Sequence, residues 1–62
     1  MRVNIEKFKS AVYNSGLTVL ELSKLSNVSR TTINRINSDI EVKPSTLGKI
    51  AKVLEMRIED FI

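Results

Sequence analysis

Cysteine, histidine and tryptophan are absent from these 62 residues, and glycine appears twice and proline once. Without cysteine there are no disulfides and no thiolate zinc site. Without histidine the usual general bases and catalytic triads are excluded by inventory, and a metal would have to be held by carboxylates alone. No apolar run approaches the roughly 20 residues of a membrane span, and the opening MRVNIEKFK lacks the apolar stretch of a signal peptide. A soluble, cytoplasmic protein is expected, with no cofactor, no membrane and no small-molecule substrate. Length allows one small domain, residues 1–62, near the lower limit at which a chain folds without staples.

What is present is charge and helical period. The net charge is +3. Between Leu22 and Lys52 there are six bases (Lys24, Arg30, Arg35, Lys43, Lys49, Lys52) and only Asp39 and Glu41 as acids, so the positive surplus lies in the middle of the chain. No alternating run is long enough for a sheet. Asn4 is placed to cap a first helix carrying Ile5, Phe8, Ala11 and Val12 on one face, and Ser15-Gly16 supplies its stop. Thr18 with Glu21 three residues later makes a capping-box pattern for a short second helix, with Leu22 and Leu25 on its buried side. Ser29 caps a third helix, whose inner side is Ile33 and Ile36, and Asn37-Ser38-Asp39 is a turn-forming exit. Pro44-Ser45-Thr46 opens a fourth, with Leu47, Ile50, Ala51 and Leu54 at core spacing. A last helical turn over 58–62 offers Ile58, Phe61 and Ile62. The expectation is all-α, five short helices in a compact bundle.

From Ser26 to Ser38 there is no acidic side chain, but there are two arginines, two threonines and three asparagines. At about 100° per residue, Ile33 and Ile36 set the inward direction of the third helix, and Thr31 and Arg35 then point almost opposite, with Asn34 beside them and Arg30 on the flank. Arginine donates bidentate bonds to guanine, asparagine pairs with adenine, and threonine touches thymine methyls and phosphates. An acid there would repel a phosphate backbone. A polar, basic outer face is also what any solvated helix shows, so the face alone does not decide between the two.

The stretch TVLELSKLSNVSRTTINRIN resembles the helix-turn-helix of the phage-repressor and Cro-like family of DNA-binding domains. The matching positions are apolar Leu22, small Ser23 at the helix crossing, a left-handed turn residue at Asn27, apolar Val28, then Ile33 and Ile36. GLT at 16–18 and KPSTLGKIAKVL at 43–54 continue the likeness, which covers nearly the whole chain. The family usually has alanine and glycine where this chain has Ser23 and Asn27, both mild replacements because serine is small and asparagine tolerates positive φ. Other departures are Val19 for a phosphate-bracing glutamine, Asp39 for a glycine, and Arg57 for a serine or threonine cap, which implies a fraying last helix. Val12 and Asn37 stand where the family commonly pairs an arginine with a glutamate. Losing both together fits the energetics, since removing one member of a buried pair costs roughly 3–5 kcal/mol while replacing both can be neutral.

The resemblance implies a lambda-repressor-like bundle, a helix-turn-helix at about 18–37, and a DNA-binding transcriptional regulator, a repressor of bacterial or phage type. Carried over position by position, base readout falls to Arg30, Thr31, Asn34 and Arg35. Phosphate contact falls to Thr18, Ser29, Ser38 and Lys43, with Thr18 and Ser29 serving equally well as plain caps. The partner is double-stranded DNA with a palindromic operator, bound by a weak or DNA-assisted homodimer. Met56, Phe61 and Ile62 are the apolar residues expected to be left for a dimer contact. The alternative is a protein-interaction module that keeps the fold and binds through Val19, Leu20 and Leu25. An enzyme is the weakest reading, because the carboxylates are scattered with no histidine or cysteine beside them.

Overall fold

The computed structural model describes residues 1–36 and 41–62. Among these residues four α-helices follow one another: α1 Ile5–Ser15, α2 Val19–Ser26, α3 Arg30–Ile36 and α4 Pro44–Val53. Helices α1, α2 and α3 each start at a residue whose side chain accepts from a first-turn N–H, and α4 starts at a proline. Asn4 Oδ1 accepts from Lys7 N at 3.1 Å for α1, and Pro44 takes the first position of α4, where its missing N–H costs nothing. Gly16, at φ 71°, ends α1. The core is a single cluster containing Phe8, Leu22, Ile33, Ile36, Leu47, Ile50 and Phe61. Helix α2 lies at its centre, packed on both α3 and α4.

Three expectations need correction. The fifth helix is not α-helical: Ile58–Phe61 forms one 3₁₀ turn, leaving, among the described residues, four α-helices and no strand. At its start Asp60 Oδ2 accepts from the Arg57 N–H at 3.0 Å. Second, Leu25 does not lie on the buried side of α2; it is 63% exposed, and Ser26 takes the inner place, its hydroxyl donating to Leu22 O at 2.6 Å. A buried hydroxyl with a partner costs little, so serine can face the core. Third, Phe61 is 0% exposed and meets the Phe8 ring edge-on at a centroid distance of 5.8 Å. Its carbonyl accepts from Asn4 N–H, fastening the 3₁₀ turn to the start of α1. It is core and so is not available for the expected dimer contact, whereas Ile62 beside it is exposed and Met56 is half-buried.

Four core residues, Val3, Val28, Val42 and Leu54, lie outside any helix. Val3 and Val42 are buried where the first residues run antiparallel to residues 41–42, with an isolated bridge between Arg2 and Glu41 and Val42 N–H donating to Met1 O at 2.9 Å. This pairing supports the segment leading into α4. The expected exit turn at 37–39, and with it Ser38, lies outside the described residues.

Candidate nucleic-acid interface

Helix α3 has only seven residues, too short to be stable alone, so its position is dictated by what its inner side buries. Ile33 and Ile36 are each about 1% exposed. With these two locked in the core, the helical period leaves Arg30, Thr31, Asn34 and Arg35 exposed together on the outer side, as the sequence spacing requires. Asn27, at φ 59° and ψ 32°, makes the left-handed turn that redirects the chain from α2 into α3.

The hydroxyls at the helix starts have different amounts of bonding capacity left. Thr18 Oγ1 accepts from Glu21 N at 3.1 Å while Glu21 Oε1 accepts from Thr18 N at 2.9 Å. This closes the capping box and still leaves the Thr18 hydroxyl hydrogen to donate outward. The Thr18 backbone and side-chain hydrogen bonds hold the Glu21 carboxyl below its ordinary value, so a negative charge sits beside the start of α2. Ser29 Oγ accepts from Thr32 N at 3.2 Å and donates to Thr32 Oγ1 at 2.8 Å. The Ser29 hydrogen is thereby used inside the protein, and donor capacity toward an anion passes to Thr32.

Arg35 and Lys43 are brought together along a groove of about 300 Å³ between α3 and the start of α4, which Thr32 and Thr46 also line. Sequence reasoning singled out neither threonine. Thr32 was legible in principle, three residues after the Ser29 cap; Thr46 becomes relevant only through the tertiary approach of α4. Glu41 is the acid on this groove, 3.8 Å from the amino group of Met1. A larger groove of about 470 Å³ runs along α1 past Met56 and Asp60 and includes none of the residues expected to contact DNA. Its two carboxylates, Glu6 and Asp60, outnumber its one lysine, Lys7, and leave it net negative, the wrong sign for a phosphate backbone.

Among the described residues no group of histidine, cysteine, aspartate or glutamate side chains is arranged to hold a metal ion, and no helix is long and apolar enough to cross a membrane. No curated protein and no solved structure matches the chain. A protein-family model described as Helix-turn-helix matches residues 14–61, a span that begins near the end of α1 and runs through α2, the Asn27 turn, α3 and α4 to the 3₁₀ turn. With that match over more than three quarters of its length, the chain belongs to the Cro/C1-like helix-turn-helix family of DNA-binding regulators.

Proposed function

We propose that residues 1–62 form one DNA-binding domain of a sequence-specific repressor, which lays α3 into the major groove of a palindromic operator. Arg30, Thr31, Asn34 and Arg35 read base edges. Thr18 and Lys43 contact phosphates through their side chains and Ser29 through its backbone N–H, with Thr32 and Thr46 added by the groove they share with Lys43, and Ser38 retained on the family resemblance alone. Two copies occupy the two half-sites and block access of polymerase, Ile62 and Met56 being the apolar residues left to meet between them.

The observation that carries this reading is the make-up of the outer side of α3. All four of its exposed residues are polar or basic, each able to reach a base edge, and none is acidic. The test separates readout from simple attraction. Arg35→Ala should cost about 1–3 kcal/mol at the preferred site and relax preference at one base pair, whereas Lys43→Ala should weaken all duplexes alike. Equal losses on specific and random duplexes for Arg35→Ala would remove Arg35 from readout.

Exposed Leu20 and Leu25 on α2 favour a second reading, a protein-interaction module. Val19 contributes less to it than its sequence position promised, because it is half-buried against the core. Binding to a protein partner without salt dependence, together with no shift of any duplex, would select this reading over the first.

A further inference from the structure

The Ser23 hydroxyl donates to the carbonyl of Val28 at 2.6 Å, spanning the turn between α2 and α3. The two residues belong to different sides of that turn: Ser23 lies in α2, and Val28 follows the left-handed Asn27. The first intrahelical bond of α3 runs from Ile33 N–H to Ser29 O, so the Val28 carbonyl lies outside the helical ladder. Val28 is buried, and a carbonyl in such a place needs a partner from the protein. Ser23 is half-buried at the point where α2 and α3 pack. An alanine there would fill almost the same space but leave that carbonyl without the Ser23 hydroxyl.

We infer that Ser23 is a positioning residue for α3: its hydroxyl clasps the Val28 carbonyl and so fixes the angle at which the outer side of α3 meets DNA. The inference rests on the DNA-binding reading above and adds a residue that touches no DNA. A seven-residue helix has little packing with which to hold its own orientation. Ile33 and Ile36 fix which side faces inward, but two neighbouring apolar contacts leave tilt about the turn weakly restrained. A short, directional bond beside the turn supplies that restraint. Bidentate base contacts are sensitive to small tilts, whereas attraction to the phosphate backbone is not. Loss of the clasp should therefore cost discrimination and spare non-specific affinity.

Ser26 provides a matched control on the same helix. Its hydroxyl donates to Leu22 O at 2.6 Å, the same length, but the bond stays within α2 and crosses no turn. Ser23→Ala and Ser26→Ala should lower the melting temperature by similar amounts, about 4–8 °C. They should differ in two other readouts. In the DNA-free protein, amide hydrogen exchange at Ile33 to Ile36 should quicken in Ser23→Ala and not in Ser26→Ala. On a duplex selected from a random pool by the wild-type protein, Ser23→Ala should lose about tenfold in affinity, with binding to a shuffled duplex unchanged. Ser23→Cys, close in volume but a weaker donor, should fall between serine and alanine. Equal behaviour of the two alanine variants in exchange and discrimination would overturn the positioning role. If wild-type protein failed to discriminate between duplexes while Ser23→Ala still loosened α3, the DNA reading would fail and the clasp would remain as a structural bond only.

Discussion

Asn27 and Glu55 are the two non-glycine residues with positive φ among the described residues, at 59° and 57°. They differ in how well they suit it. Asparagine is among the residues that visit this region most readily, whereas an ordinary L-residue pays roughly 1–2 kcal/mol there. Glu55 is held by a complete Schellman closure of α4: Met56 N–H reaches Ala51 O at 2.9 Å and Glu55 N–H reaches Lys52 O at 3.3 Å. It also places a carboxylate at the negative end of a helix dipole. Both effects have the same sign. Glu55→Gly should therefore stabilise the protein by about 1 kcal/mol, while Asn27→Gly should be close to neutral and Asn27→Val should cost more than about 1 kcal/mol. Urea midpoints for the three variants check the order; a midpoint for Asn27→Val at or above wild type would remove the left-handed turn. Asn27 was legible from sequence because its residue type announces the turn. Glu55 was not, since its conformation is imposed by the need to return Met56 and Ile58 to the core.

The helices whose residue types and spacing agree were read well, and the short ones were misread where two stripes compete. In α1 a cap, a stop and an apolar stripe agree, and in α4 a proline start and an apolar stripe agree. Helix α2 has eight residues. Leu22 with Leu25 and Leu22 with Ser26 are both helical neighbours, and hydropathy favours the leucine pair. Packing chose Val19, Leu22 and Ser26, at i, i+3 and i+7, because Ser26 satisfies its hydroxyl internally. At the end of the chain, Ile58, Phe61 and Ile62 also fit an α turn. A 3₁₀ turn superposes residues three apart and so turns Ile58 and Phe61 inward and Ile62 outward. The capping box of α2 was both legible and present, and it makes a pH prediction. The Glu21 carboxyl lies below its ordinary value because of its hydrogen bonds from Thr18. With the folded value below the unfolded one, its contribution is fully present above the unfolded value and is lost as pH falls through the folded one. Glu21→Gln keeps the cap geometry and removes the titration. Wild type should be the more stable at neutral pH, and the gap should close as pH falls from the ordinary carboxylate range through the lowered folded value. Thermal melts across that range check it, and a gap constant with pH would mean the hydrogen bonds do not favour the charged form.

At the scale of the whole molecule, the positive surplus between Leu22 and Lys52 includes the outer side of α3 and the groove at Lys43, while Glu6 and Asp60 border the groove along α1. Under the proposed DNA-binding reading, DNA and any second copy would therefore meet different surfaces. The second copy has little to hold. Phe61 is needed inside, where truncation to alanine would cost about 3–5 kcal/mol, comparable with the whole stability of a domain this size. Dimer contact is left to Ile62, 52% exposed, and half-buried Met56. Geometry makes the same point. The Cα extents are 23 × 20 × 18 Å, so two copies centred on half-sites about 34 Å apart leave a gap of roughly 11 Å even with their long axes in line. Long side chains can bridge such a gap, but they bury far less than the roughly 1,200 Å² of a stable interface. We therefore expect a monomer at micromolar concentration that pairs on a palindromic duplex, with DNA supplying the alignment. Ile62→Ser should leave the melting temperature and single-half-site affinity near wild type while reducing cooperativity on the full palindrome. Sedimentation and half-site titrations measure both quantities. A tight dimer without DNA, or a steady 1:1 complex on the full palindrome, would count against this assembly, because the first requires a larger apolar surface than the fold exposes and the second requires one copy to occupy both half-sites.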